Sequence, residues 1–322
     1  MTTQAQALIS IIAPMYNESG NLHNLLSRVV GVMEKIGNPF EIICIDDGSS
    51  DDTLEKLAQE HQKDARIKVV SFSRNFGKEV ALTAGLHHAS GQAVVLIDAD
   101  LQHPPEIVED LVKKWYEGFD MVIAVRKSRA TETFFKRLHA KAFYSLFTMM
   151  SDTKIRPDAG DFRLLDRKVV NALNLVMEKT RFMKGLYSWV GFKSAVIPYE
   201  PAYRQTGATK WSFFRLWRFA LDGLTAFSAV PLKVWTVVGL VIAAIGLFYG
   251  LFLIVKTLVS GVDVPGYASL MVAVLFFGGV QMMTLGVFGE YLGRVFDEVK
   301  HRPLYIVREQ HGFTPDKNKD NA

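Results

Sequence analysis

Cysteine is all but missing: the 322-residue chain holds one, Cys44, inside an apolar run. A lone thiol excludes a disulfide within the chain, fits a cytosolic setting, and is expected to serve as buried filler. Two glycine signatures are also absent. Without G-x-G-x-x-G a dinucleotide fold has no support, and without G-x-x-x-x-G-K-[ST] neither has a P-loop. No signal peptide is expected at the N-terminus, because Met1–Ala7 is polar and uncharged and the apolar run after it is only strand-length. Nor is there a strong excess of one charge. Lys and Arg number 37 against 33 Asp and Glu, a net +4 that is small for the length and does not suggest a nucleic-acid binder. Beyond Pro231 charge of either sign becomes scarce.

What is present is unevenly spread. The length accommodates one sizeable catalytic domain plus something else, and the first two thirds alternate charged and apolar stretches as an α/β domain does. Leu8–Ala13 reads as a strand, followed by Leu22, Leu25, Leu26, Val29 and Met33 at helical spacing. Glu41–Asp46, Ile67–Phe72, an apolar run ending at Asp98, and Met121–Val125 read as further strands with helices between them. Such alternation predicts a doubly wound, mainly parallel sheet with right-handed crossovers. Lys193–Tyr199 is a later strand.

Polar residues follow each strand: Tyr16 and Glu18, Asp46 and Asp47, Arg74 and Lys78, Asp98 and Asp100. The carboxyl ends of parallel strands are where ligands bind in open α/β sheets, so these pairs are expected to converge on one edge. If extended geometry persists past the fourth strand, Asp98 and Asp100 point the same way. An acidic turn capping the next helix has the same sequence. Carboxylates early in the fold suit ribose hydroxyls and base edges. A diphosphate held without a glycine-rich cradle calls for a divalent cation, Mg2+ or Mn2+, with Asp100 as ligand and Asp98 and Gln102 beside it.

Basic residues cluster at Arg126–Lys141 and Arg204–Arg218, which points to anionic ligands or lipid headgroups. Phe134, Phe135, Leu138, Ala142, Leu146 and Phe147 give the first cluster an apolar face. It reads either as a solvated helix or as an interfacial helix gripping a phosphate through Arg126, Lys127, Arg129 and Arg137. Ser212–Val230 has the pattern of a second interfacial helix. Val234–Val255 and Val264–Gly289 carry no charge, and each is long enough to span a bilayer. Lys233 precedes the first run and Arg294, Lys300 and Arg302 follow the second, while the joining loop contributes only Asp263. The positive-inside rule then places both termini and the catalytic domain in the cytoplasm. Asp158–Arg163 reads locally as a tight acidic turn.

The motifs P-M-Y-N-E, D-D-G-S-S-D, S-R-N-F-G-K-E, D-A-D-L-Q-H-P-P and G-D-F-R-L-L-D-R together resemble the inverting glycosyltransferases that charge polyprenyl phosphates. That family includes the dolichyl-phosphate mannose synthases, and the similarity is strongest to the bactoprenol-phosphate glucosyltransferases of O-antigen modification. The resemblance runs from about Ile11 to about Arg302. It implies a nucleotide-sugar-binding domain of the A type, with Pro14, Tyr16, Glu18, Ile45, Asp46, Asp47, Arg74, Lys78, Asp98, Ala99, Asp100 and Gln102 around the donor. It further implies Arg204 and Lys210 over the diphosphate, Arg126 and Arg137 on the acceptor phosphate, and Asp161 with Asp98 as the catalytic aspartates.

The expected activity is transfer of a hexose, glucose from UDP-glucose first, to undecaprenyl phosphate. Mannose, N-acetylhexosamine and aminoarabinose are the alternative sugars, and a non-catalytic nucleotide-binding membrane partner is the rival from another class. A processive polysaccharide synthase is disfavoured by the absence of Q-x-x-R-W. The implied organisation is a donor domain over 1–205, an interfacial segment over 206–230, two membrane helices over 231–292 and a cytoplasmic tail over 293–322, in a bacterial inner membrane. A lipid bilayer, a homo-oligomeric partner, a flippase and a downstream glycosyltransferase complete the implied company, with no nucleic acid.

Overall fold

A computed structural model describes residues 6–126, 159–179, 181–200, 230–260 and 266–313. The elements before residue 200, together with a strand after residue 303, form one compact unit, and two long helices form another.

The first unit is built on β1 (Ile9–Met15), β2 (Phe40–Asp46), β3 (Ile67–Phe72), β4 (Ala93–Leu96), β5 (Met121–Arg126), β6 (Ala159–Asp166), β7 (Ser194–Tyr199) and β8 (Val307–His311). Their order across the sheet is β7-β5-β6-β4-β1-β2-β3-β8. β6 runs antiparallel to β4 and β5, and β8 antiparallel to β3, while the other pairings are parallel. The mainly parallel α/β sheet anticipated from the alternation is therefore present. β1 is central, with Ile12 level with Ile43 on one side and Leu96 on the other. Every residue of β2 and β4 is buried, which is why these strands read as continuous apolar runs rather than alternating ones.

Helices α1 (Leu22–Ile36), α2 (Thr53–Lys63), α3 (Lys78–His88), α4 (Ile107–Tyr116), α5 (Arg167–Asn174) and α6 (Met183–Trp189) belong to the same unit. α1 buries Leu22, Leu25, Leu26, Val29 and Met33, the positions read from their spacing. Each such fully buried side chain contributes roughly 1.5–3 kcal/mol. The helix stops at Gly37, whose left-handed φ of 82° lets its N–H reach the Met33 carbonyl. Cys44 is fully buried and unpaired, and burial pushes its thiol up to about 12.

Three local expectations change. β4 ends at Leu96, and Leu101 adopts a φ of 56°, so strand alternation does not carry through Asp98 and Asp100. The stretch around Asp161 is a strand rather than a turn. Pairing with β4 and β5 outweighs local preference, and the turn signal survives as an irregularity: Arg163 faces Ile123, but Ala159 already faces Val125. The residues after the helical pair are not all tail, since Val307–His311 closes the sheet edge on β3.

The second unit holds α7 (Val230–Ser260) and α8 (Tyr267–Val299). Large apolar side chains stand exposed along both, among them Phe248 and Leu251 on α7 and Met282 and Phe288 on α8. Taken over the described residues alone, no helix is long and apolar enough to cross a membrane. Several side chains inside both helices lie outside that set, however. The full sequence is charge-free from Val234 to Val255 and from Tyr267 to Gly289.

Candidate active site

At the end of β1, Asn17 takes a φ of 54° and ties its loop to the one after β2. Its N–H donates to Ser49 Oγ at 2.9 Å and its side-chain oxygen accepts from Ser50 N–H at 2.8 Å. Glu18 donates its N–H to Thr53 Oγ1 and accepts from Asn21 Nδ2. Pro14 stays in the sheet, level with Ile45, and Tyr16 projects half-exposed beyond it.

The two aspartates after β2 are absorbed by the protein. Asp46 accepts from Ser49 N–H and Ser71 Oγ, at 3.1 and 2.8 Å. Asp47 accepts from the N–H groups of Phe76 and Gly77, at 2.6 and 2.9 Å. Burial pushes the Asp47 carboxyl up, and the Asp46 charge adds to this. The two N–H donors and Arg74 pull against them, and the net shift is upward. Gly48 lets the β3–α3 loop lie directly on this turn, because a Cβ there would sit 2.4 Å from the Arg74 carbonyl carbon. Arg74 itself packs over the Phe76 ring at 4.1 Å.

The end of β4 is built differently. Lys78, first residue of α3, places its ammonium 2.6 Å from Asp98 Oδ1 and 2.8 Å from Asp161 Oδ2. Burial penalises the Asp98 charge, but Lys78 and His103 overturn this and hold its carboxyl well below the usual range. Burial likewise opposes the Lys78 charge, and the Asp98 and Asp161 carboxylates reverse that, so the amine stays protonated. Asp161 Oδ1 is buried without a partner among the described residues. Behind it, Glu79 is pushed up to about 7 by burial and by the Asp161 charge, while accepting from Met183 N–H at 2.9 Å.

Asp100 accepts one bond, from Gln102 N–H at 3.1 Å, and its second carboxylate oxygen has no partner among the described residues. Gln102 Oε1 accepts from Arg126 Nη2 at 3.0 Å. Arg126 Nε donates to Tyr199 Oη at 3.3 Å, and Tyr199 Oη lies 2.5 Å from His103 Nδ1. His103 Nε2 is 3.4 Å from Asp98 Oδ2. Ala99 is buried between the two aspartates.

The structure thus brings Lys78, Asp98, Asp161, Asp100, Gln102 and Arg126 together, and shows Asp46 and Asp47 holding loops. Among the described residues no cluster of three His, Cys, Asp or Glu could cage a metal ion. With Asp98 committed to Lys78 and His103, Asp100 is the carboxylate with an oxygen to spare. One such ligand fits a cation of the magnesium type that keeps waters and takes most of its shell from substrate phosphates. Lys127, Arg129, Arg137, Arg204 and Lys210, with both interfacial segments, lie outside the described residues.

His103, Tyr199 and Glu79 were not singled out from the sequence. His103 and Glu79 sit inside quoted motifs and were open to notice, whereas Tyr199 ends an ordinary strand and carried no signal.

Residues 10–173 match the model of glycosyl transferase family 2, and residues 230–295 match that of the GtrB C-terminal hairpin. An uncharacterized glycosyltransferase of Synechocystis sp. is 54% identical over 305 residues, covering 95% of this chain and 96% of its own. An SfII prophage-derived bactoprenol glucosyl transferase of Shigella flexneri is 45% identical, covering 95% and 99%. The prophage bactoprenol glucosyl transferase homolog of Escherichia coli K12 is 44% identical, covering 93% and 98%. With a family match across half the chain and relatives this similar over nearly all of it, the chain belongs to glycosyl transferase family 2 and is a glycosyltransferase.

Proposed function

We propose that this enzyme moves glucose from UDP-glucose to undecaprenyl phosphate with inversion at the anomeric carbon. The observation that carries the reading is the Arg126–Gln102 hydrogen bond of 3.0 Å, which ties the arginine proposed to bind the acceptor phosphate to the D-x-D turn. Relatives named for bactoprenol glucosyl transfer support both the acceptor and the sugar.

The reaction is a single in-line displacement. An acceptor phosphate oxygen forms the new bond to C1 as the bond from C1 to the diphosphate breaks, its electron pair leaving with UDP. A phosphomonoester with a second pKa of about 6 is already ionised near neutrality, so no base is needed. That agrees with Asp98, whose carboxyl Lys78 and His103 hold well below the usual range, and with Asp161 being ion-paired to the same ammonium. Asp161 is assigned to orient sugar and acceptor, its Oδ1 having no partner among the described residues. A divalent cation held by Asp100 would neutralise charge on the departing diphosphate. Arg204 and Lys210 are assigned to the same diphosphate, and Lys127, Arg129 and Arg137 join Arg126 on the acceptor.

α7 and α8 are proposed to anchor the enzyme in the bacterial inner membrane, with the catalytic unit and both termini cytoplasmic. At 1.5 Å per residue, helices of 31 and 33 residues are about 46 and 50 Å long, more than the hydrocarbon thickness of about 30 Å. Their exposed apolar side chains suit lipid better than water.

The test uses full-length protein in detergent with undecaprenyl phosphate and radiolabelled UDP-glucose, GDP-mannose or UDP-N-acetylglucosamine, with and without EDTA. Label entering the organic phase from UDP-glucose, and lost with EDTA, is the expected result. Transfer from another donor overturns the sugar assignment, and no lipid product from any donor overturns the acceptor.

A further inference from the structure

We infer that Tyr199 and His103 form a strut that positions the acceptor arginine Arg126 against the donor aspartate Asp98, an inference that rests on the acceptor reading given above. Tyr199 is the last residue of β7, is almost wholly buried, and lies level with Arg126 in the parallel β5–β7 register. His103 is buried too, packed between the rings of Phe162 and Tyr199 at centroid distances of 5.2 and 5.6 Å. Their heteroatoms make an unbroken line from Arg126 Nε through Tyr199 Oη and His103 to Asp98.

The direction of that line follows from what each group has to give. Arg126 Nε can only donate, so Tyr199 Oη receives its hydrogen and spends its own proton on His103 Nδ1. His103 then carries its hydrogen on Nε2, toward Asp98 Oδ2. Lys78 donates to the same carboxylate from the other side. Every donor in the chain therefore points at Asp98, the arrangement in which successive hydrogen bonds polarise one another. Arg126 has a long, flexible side chain, and the two bonds from Tyr199 and Gln102 are what hold its guanidinium in one place. Tyr199 and His103 act through their neighbours and are positioning residues.

Tyr199→Phe removes one hydroxyl and keeps the ring. Its expected effect is a rise of about five- to tenfold in the undecaprenyl-phosphate KM, the scale of one lost hydrogen bond. The UDP-glucose KM and UDP binding should stay within about twofold, a split that general loosening of the site would not produce. Two conservative variants guard against a folding defect. An asparagine amide overlays the imidazole Nδ1 position and a glutamine amide the Nε2 position. His103→Asn keeps only the Tyr199 end of the line and His103→Gln only the Asp98 end, so each should raise the acceptor KM in the direction that Tyr199→Phe does. Arg126→Ala, assayed beside them, separates the two readings. If it leaves the acceptor KM unmoved, the acceptor assignment itself is wrong. If it raises that KM while Tyr199→Phe does not, or while neither His103 variant does, the strut alone is overturned.

Discussion

The two strands that flank β1 each lead into paired aspartates, and the pairs do opposite work. Asp46 and Asp47 after β2 are closed off by hydroxyl and backbone N–H donors. After β4, Asp98 faces an ammonium and an imidazole, and Asp100 takes a single backbone N–H that leaves its second oxygen open. Backbone donors fix loops, because an N–H cannot move without moving the chain. Cationic side chains leave a carboxylate able to trade partners when an anionic ligand arrives. The lesson is that adjacent acidic residues at a strand end announce a tight loop as readily as a ligand site, and the donors they meet decide which.

That contrast is open to attack at both ends. Asp100→Asn should lower kcat by on the order of 10²- to 10³-fold, while the thermal midpoint stays put, because an amide oxygen still accepts from Gln102 N–H. Near-normal turnover at saturating Mn2+ would break the assignment of Asp100 as the ligand carboxylate. Asp47→Ala should do the reverse. It strands the N–H groups of Phe76 and Gly77, and urea unfolding should show a loss of about 3 kcal/mol. In the cold, where the variant stays folded, kcat should hold within a few fold. If instead activity vanishes with stability intact, Asp47 belongs to the donor site after all.

Much of the sheet was legible because burial on both faces leaves continuous apolar runs, as in Ile9–Met15 and Phe40–Asp46. Asp98 and Asp100 were legible because a D-x-D after an apolar strand is a local pattern. What failed was non-local. Ala159–Asp166 contains Ala-Gly-Asp, locally a turn, and only partners some 35 and 70 residues upstream make it a strand. The partners of Asp47 within the protein, the N–H groups of Phe76 and Gly77, have no sequence signature at all. Tyr199 was invisible for the same reason: its role depends on β7 lying level with β5.

Glu79 sharpens the comparison from a third direction, since it is a half-buried carboxylate that accepts from a backbone N–H, that of Met183. Its proton is held more tightly in the folded protein, where the pKa is about 7, than in the unfolded chain, near 4.5. Its stabilising contribution is therefore complete below about pH 4.5 and gone once the pH passes about 7. Between those limits, unfolding free energy should decline with rising pH, by on the order of 2 kcal/mol from this residue. Glu79→Gln still accepts from Met183 N–H and should flatten that decline. A mutant profile parallel to wild type would show that the burial of Glu79 has no energetic consequence.

The smallest effect is expected at Asp52, which shares the acidic turn with Asp46 and Asp47. It pairs with Lys56 at 2.9 Å across solvent, both side chains about half exposed. It precedes α2 but makes no cap bond, since Asp51 accepts from Thr53 instead. Exposed pairs of this kind are screened by salt and weakly stabilising. Asp52→Asn should thus leave the thermal midpoint, both KM values and kcat within error of wild type at 0.15 M salt. Asp47, five residues earlier, differs in what surrounds it: it is buried and accepts from two N–H donors. A drop in midpoint at Asp52 comparable to that at Asp47 would mean that charge along the turn, rather than the partners of each carboxylate, sets its role.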